Sequence, residues 1–315
     1  MSLKKNLNGE LIRFWEPNRQ AYEWVVGFID GDGFLDLERT KCRDCFYFRP
    51  VLAITQKEVQ ILYKIKNILK VGKISKRADG YYHYRIRNKV HFLKYLIPIF
   101  KEYSLLTNKK LQFKLLVKSL RLLKNYSSKD LKKQQNLNQI REWIKQARFR
   151  PLGALAYNIP CGTATLTVLN ISQIWFVGFF DSQGCISVQN LSASNFRWRF
   201  VIKITQHKLH YNLLIKIKEF FNIGRISIER PDIYCWCISN RRELPKLIAL
   251  FKKYPLKSEK FIQWTKFLKL LRLNKTSSKA KQRYLKLISS LKKQTRLKRE
   301  SQPSWKIWSI TQSEE

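Results

Sequence analysis

The feature that most constrains this chain is that it is written twice. YEWVVGFIDGDG at 22–33 returns as QIWFVGFFDSQG at 173–184. ITQK at 54–57 returns as ITQH at 204–207, NILKVGKIS at 67–75 as EFFNIGRIS at 219–227, and YSLLTNKKLQF at 103–113 as YPLKSEKFIQW at 254–264. Asn88 likewise matches Asn240, and every offset lies between 150 and 152 residues. Conserved order at a conserved offset means a tandem duplication of about 120 residues per unit, the units facing each other across a pseudo-two-fold axis. The first repeat is expected over 1–148 and the second, with basic C-terminal helices, over 171–315. A linker rich in Pro, Gly, Thr and Ala joins them over 149–170.

Both copies read alike. A helix leads in at 18–31 and 171–182. Around 46–56 and 197–206 the residues alternate with the period of a strand. There Trp198, Phe200, Ile202 and Ile204 point one way, and Arg197, Arg199, Val201 and Lys203 the other. Helices at 57–69 and 208–222 precede short hairpins at 72–88 and 224–240, with Asp79-Gly80 as the first hairpin's turn. Further helices follow at 90–103, 107–124 and 128–147, the last opened by Ser127-x-x-Asp130 as a capping box, with counterparts after 241. Each unit is thus αββαββα, an α+β arrangement with helices on one face of an antiparallel sheet.

Charge says what the other face is for. Against 22 Asp and Glu stand 62 Lys and Arg, a net +40. Such an excess implies a polyanionic partner, nucleic acid first and an acidic membrane surface second. Residues 101–150 hold 14 basic and 3 acidic residues, and 246–300 hold 18 and 2. The uncharged window 151–180 is not a membrane span, because Pro151, Gly153, Asn158, Pro160, Gly162 and Asn170 interrupt it. No apolar run at the N-terminus has the length of a secretory signal. On the open sheet faces, Lys73, Ser75, Arg77, Arg85 and Arg87 of the first repeat, with Arg197, Arg199, Lys203 and Arg225 of the second, are the candidate nucleic-acid contacts. A β-ribbon fits the major groove, where Arg pairs with guanine in bidentate fashion. Cys42 and Cys45 form a CxxC, and Cys235 and Cys237 a CxC. No His stands at ligand spacing beside them, so they, with Cys161 and Cys185, are read as reduced thiols rather than a zinc site.

The segment Val25-Val26-Gly27-Phe28-Ile29-Asp30-Gly31-Asp32-Gly33, repeated as Phe176-Val177-Gly178-Phe179-Phe180-Asp181-Ser182-Gln183-Gly184, resembles the motif of the LAGLIDADG homing endonucleases and intron maturases, two-motif (monomeric) type. The resemblance extends over roughly 20–290 through the duplication, the ITQ strand ends and a later helical Lys. Physical chemistry gives the motif sense. Gly27 and Gly178 lack a Cβ, so the two motif helices can meet backbone to backbone. Asp32 falls at a helix C-terminus, where a carboxylate is unfavourable unless a cation is close. Gly33 is expected to permit the turn into the first strand.

The resemblance implies more: two sheets forming a basic saddle on a duplex of roughly 20 base pairs, and Mg²⁺ or another divalent cation held by Asp32, the Gly31 carbonyl and the residue at 183. It implies that Gln56 and Gln206 position the nucleophilic water, and that Lys109 and Lys260 stabilise charge on the phosphate. Asp30 and Asp181 are then structural, at the base of the helix pair. The second repeat departs from the family pattern where it matters most. Gln183 stands in the place of Asp32, and the next acid after Asp181 is Glu219. The expected activity is double-stranded DNA cleavage in intron homing, impaired or limited to nicking at the Gln183 half. The alternative is an RNA maturase that helps its host group I intron splice without cutting DNA, with the basic helices at 107–150 and 246–300 holding RNA phosphates. The abundance of Lys, Asn, Ile, Leu and Phe suits an AT-rich organellar genome, mitochondrial rather than chloroplast by a small margin.

Overall fold

Apolar residues fill every side of 24–30 and 175–181, so neither segment can be a surface helix. In the computed structural model, which describes residues 2–5, 11–14, 19–42, 45–127, 130–149, 170–192, 197–273 and 281–291, they form the middle of the molecule. Helix α1 (Arg19–Asp32) and its counterpart Gln173–Gln183 lie against each other, with Trp24–Asp30 and Trp175–Ser182 buried without a break. A Cβ built on Gly27 would stand 2.0 Å from the Trp175 carbonyl oxygen, and one on Gly178 would stand 2.0 Å from that of Trp24. Only glycine at both positions lets the two backbones approach this closely.

Ahead of α1 the chain makes a small hairpin, β1 (Ser2–Lys5) with β2 (Leu11–Phe14), outside the repeated pattern. The first repeat then runs through β3 (Gly33–Cys42), β4 (Cys45–Gln56), α2 (Val59–Leu69), β5 (Lys73–Lys76) and β6 (Tyr82–Ile86). It continues through α3 (Lys89–His91), a π-turn at Phe92–Leu96, α4 (Ile97–Glu102), α5 (Lys109–Leu122) and α6 (Leu131–Ala147). The second repeat places α7 (Gln173–Gln183), β7 (Gly184–Ser192), β8 (Arg197–His207), α8 (Tyr211–Phe221), β9 (Arg225–Arg230) and β10 (Ile233–Ile238) in the same succession. It closes with α9 (Leu244–Lys253), α10 (Lys260–Arg272) and a last helix at 281–291. Each repeat folds one four-stranded antiparallel sheet, ordered β3-β4-β6-β5 and β7-β8-β10-β9. The predicted α+β duplication therefore stands. Residues 150–169, most of the expected linker, lie outside the described residues, as does Cys161. No helix among the described residues is long and apolar enough to cross a membrane.

The strand period sorts the faces. Leu35, Leu37, Leu52, Ile54, Tyr84 and Ile86 point into the core, as do Ile186, Phe200, Ile202, Ile204, Trp236 and Ile238 of the second sheet. Parity sets the face but not the exposure. Val201 faces away from the core as expected and is nevertheless buried, lying low in a central strand between Arg199 and Lys203.

Four local expectations are corrected by the geometry. The cap of α6 is Asp130, whose carboxylate accepts from the Lys133 N–H at 3.0 Å, while the Ser127 backbone carbonyl accepts from the Asp130 N–H. The first hairpin's loop is five residues, closed by the Arg77 N–H on the Tyr81 carbonyl. Within it only Gly80 is left-handed, at φ 79°, so the turn is not the two-residue mirror-image type. Gly33 keeps a negative φ, and a side chain there would strike the Ile29 carbonyl at 2.6 Å, so closeness rather than conformation demands glycine. The helix expected at 90–103 carries a π-turn just before Pro98, whose ring cannot sit over the carbonyl four residues back.

The helix pair makes a direct test available. Gly178→Ala is expected to lower the unfolding free energy by about 3 kcal/mol or more, because the new methyl meets a carbonyl on a rigid backbone. Urea denaturation followed by tryptophan fluorescence measures it, and a loss below 1 kcal/mol would mean that the helices part easily.

Candidate functional site

The base of the helix pair is built from two buried carboxylates that each half supplies to the other. Asp30 of α1 accepts the Trp175 indole N–H at 2.8 Å, and Asp181 of α7 accepts that of Trp24 at 2.9 Å. Each carboxylate also holds a loop. Asp30 takes the Leu106 and Thr107 N–H groups and the Thr107 hydroxyl; Asp181 takes the Lys257 and Ser258 N–H groups and the Ser258 hydroxyl. Burial pushes the Asp30 carboxyl above its ordinary value, against the downward pull of these donors and of Lys109. The structural role expected for both acids holds. The indoles and hydroxyls that complete it were missed, although Trp24 and Trp175, and Thr107 and Ser258, are equivalent positions of the repeat.

Those loops aim two lysines. Lys109 and Lys260 open α5 and α10 immediately after the bound loops. Lys109 Nζ donates to the Asp30 and Gly31 carbonyls at 2.7 and 3.2 Å; Lys260 Nζ donates to those of Asp181 and Ser182 at 2.5 and 2.9 Å. Each ammonium thus satisfies the last carbonyls of a motif helix, where the helix dipole is negative. Lys260 is only 1% exposed. The sequence placed these lysines near the motif ends, but not on the carbonyls, one of which was the expected metal ligand.

At the tip, the ends of α1 and α7 meet. Gln183 Nε2 donates to Asp32 Oδ1 at 2.5 Å, across the pseudo-dyad. Gln56 Nε2, from the end of β4, donates to Asp32 Oδ2 at 2.6 Å. Two of the expected residues therefore converge on the carboxylate of a third, and both amides present their NH₂ because an ionised carboxylate only accepts. Ser182 fills the space above Gly31: a Cβ on Gly31 would lie 1.7 Å from the Ser182 hydroxyl oxygen, which itself donates to the Phe179 carbonyl. Gln206 stands apart from this trio, its Oε1 3.3 Å from Nδ1 of His210.

The donor set suits a single hard cation. It offers one carboxylate and, on rotation of its terminal torsion, the Gln183 amide oxygen; the Gly31 carbonyl, which already accepts from Lys109 Nζ at 3.2 Å, has only its second lone pair to add. Among the described residues no three or more His, Cys, Asp or Glu side chains are grouped so that they could hold a metal ion. An all-oxygen set with one negative charge fits a Mg²⁺-like ion that keeps several waters. It does not fit zinc, and Cys185, Cys235 and Cys237 are free thiols. The side chains of Cys42 and Cys45 lie outside the described residues.

The open sheet faces are less uniformly basic than expected. Lys73, Ser75, Arg77, Arg87, Arg199 and Arg225 are exposed and Arg85 and Lys203 half-buried; the side chain of Arg197 lies outside the described residues. Register brings acids beside several of them. Arg87 pairs with Glu38 at 3.0 Å, Arg77 with Asp79 at 2.9 Å, and Lys203 with Glu229, which also accepts from Thr205. At the edge of the first face, the Arg148 guanidinium bonds Asp36 and lies 4.4 Å over the exposed ring of Phe34. His83 links Thr55 and Arg77 at 2.7 and 3.0 Å. Burial, with Arg85 and Arg77, pushes it down to about 4, so its ring is neutral at physiological pH.

Comparison with known proteins bears on this geometry. The family model for the LAGLIDADG endonuclease matches residues 25–120 and 176–271. A Schizosaccharomyces pombe protein described as a probable intron-encoded endonuclease, Cox1-I1b, is 28% identical over 217 residues, 67% of this chain. The chain spans only 52% of that relative's length. The LAGLIDADG homing endonuclease I-GzeII, in complex with its DNA target, superposes with a TM-score of 0.73 at 21% identity, covering 85% of this chain and 96% of that one. I-SmaMI, bound to uncleaved DNA target in the presence of calcium ions, superposes at 0.71 and 19%, covering 85% and 97%.

The crossed indole bonds yield a second test. Trp24→Phe keeps most of the ring and removes one donor from the buried Asp181 carboxylate. A loss of roughly 2–3 kcal/mol is expected, the usual range for a hydrogen bond to a buried charge. Trp175→Phe should cost a similar amount, since it mirrors the first change.

Proposed function

The chain belongs to the LAGLIDADG endonuclease family, and from that premise we propose that it is an intron-encoded, sequence-specific, metal-dependent endonuclease of double-stranded DNA whose two half-sites are unequal. The observation that carries this reading is the tip of the helix pair, where one carboxylate, Asp32, is shared by Gln56 and Gln183. Asp32, the Gly31 carbonyl and Gln183 would hold Mg²⁺ or another divalent cation. The ion supplies positive charge against a phosphate and a more acidic bound water. The remaining work falls to the chain's own residues. Both open sheet faces lie on a target of roughly 20 base pairs as a monomeric saddle, gripping phosphates through Lys and Arg. Gln56 and Gln206 orient water, one in each half. Lys109 and Lys260 hold the motif helix ends and place positive charge beneath the cleavage centre. With an amide at 183, the second half lacks the charge that the first possesses, so nicking should precede or replace the double-strand break.

A second reading has its own observation. Lys114, Lys118 and Arg121 lie exposed on α5, on the helical side of the molecule rather than on the open sheet face. RNA phosphates of a host group I intron could occupy that side, and a maturase needs no complete metal site. An organellar setting, mitochondrial in preference to chloroplast, agrees with the Lys-, Asn- and Ile-rich composition and with the Cox1 name of the yeast relative.

DNA affinity is expected to fall by about 10³ to 10⁵ between 50 and 200 mM salt, as for a protein making 6–10 phosphate contacts. A flat profile in filter binding or fluorescence anisotropy would remove the saddle. Asp32→Asn should abolish Mg²⁺-dependent cleavage of strand-labelled duplexes and leave affinity nearly intact. Gln183→Glu faces two carboxylates at hydrogen-bond range, which cannot both ionise without a cation. That variant should therefore melt lower than wild type in EDTA, recover in Mg²⁺, and make double-strand breaks faster. If Mg²⁺ shifted its melting no more than that of the wild type, the metal assignment would fail.

A further inference from the structure

The two repeats differ near the cleavage centre at a second place. Four residues beyond Gln56 the first repeat has Gln60; four beyond Gln206 the second has His210. His210 is turned inward. Its Nδ1 lies 3.3 Å from Gln206 Oε1, and its Nε2 is buried with no hydrogen-bond partner. An amide oxygen can only accept, so the proton sits on Nδ1 and the ring, when neutral, keeps its lone pair on Nε2.

Compare how each water-orienting amide is held. Gln56 is fixed from its nitrogen end, because Nε2 donates to Asp32. The second repeat has no acid at 183 to do the same for Gln206. His210 holds that amide from its oxygen end instead, which leaves the NH₂ pointing away from the imidazole. An unrestrained amide rotates between two nearly isosteric orientations, only one of which offers a donor in a given direction.

We propose that His210 is a positioning residue of the second half-site, which fixes the orientation of the Gln206 amide where the motif carboxylate that could do so is missing. This rests on the endonuclease reading above. The surroundings keep His210 in the required state. Burial, the Lys109 ammonium and His207 push it down to about 4. Protonation would also turn a second N–H toward a place with no acceptor. The site is thus repaired in part by a group from a different element, the single 3₁₀ turn Lys208–His210 that leads into α8.

The test compares two variants and one spectrum. Asn sets a donor close to the place of Nδ1, whereas Leu fills similar space without one. His210→Leu should slow nicking of one strand roughly tenfold or more, the scale of a lost orienting contact, while the other strand and DNA affinity stay within twofold. His210→Asn should restore the slowed strand. Equal loss on both strands, no loss on either, or failure of Asn to rescue would overturn the proposal. The readout independent of cleavage is the ¹⁵N spectrum of His210. A neutral, Nδ1-protonated ring is expected at pH 7, changing toward the Nε2-protonated form in Gln206→Leu. A ring already Nε2-protonated in the wild type, or one unmoved by Gln206→Leu, would overturn it as well. A wild type that binds DNA yet cuts neither strand would defeat the endonuclease reading and leave the spectrum to decide the role of His210.

Discussion

Everything in this molecule hangs on how closely two helices can approach. With Gly27 against the Trp175 carbonyl and Gly178 against that of Trp24, α1 and α7 touch along their backbones, and their ends arrive within one hydrogen bond of each other at Asp32 and Gln183. An isolated buried carboxylate costs several kcal/mol. The fold offsets this by giving Asp30 and Asp181 four donors each, one of them an indole from the opposite repeat. The same hydrogen bonds dock the loops that begin α5 and α10, and so bring Lys109 and Lys260 onto the helix ends. Helix contact, loop docking and lysine placement are one cooperative unit, since each shares a partner with the next.

The open faces carry a different balance. A chain with a net +40 repels itself, and its sheets temper this locally with Glu38, Asp79 and Glu229 beside Arg87, Arg77 and Lys203. These are exposed or half-exposed pairs of small net worth. Phosphates can therefore compete for the bases at little cost, while the pairs hold long side chains in defined places beforehand. His83 adds to this order by accepting from Arg77 and donating to Thr55.

Much of the architecture was legible because the repeat doubles every signal. Element order, sheet parity and the pairing of motif helices all follow from residues that recur at one offset. What escaped notice had no such signature, or had one that is ambiguous. Gly33 looks like a turn glycine, yet it serves the Ile29 carbonyl's need for space. Ser127 and Asp130 both look like caps, and geometry chose the later one. The crossing of Trp24 and Trp175 is a contact between the copies, which recurrence within each copy does not state. His210 breaks the repeat instead of keeping it, and a departure carries meaning only once its neighbour, Gln206, is seen.

The contact between Gly31 and Ser182 has a consequence for the history of the chain. These are equivalent positions, and one now supplies a knob while the other supplies its hole. Two copies of the second repeat would bring hydroxymethyl against hydroxymethyl, and two copies of the first would leave an unfilled gap. The halves have become complementary partners rather than duplicates. A symmetric ancestor assembled from a single repeat would need one residue type at both positions, whereas this contact works as a Gly against a Ser.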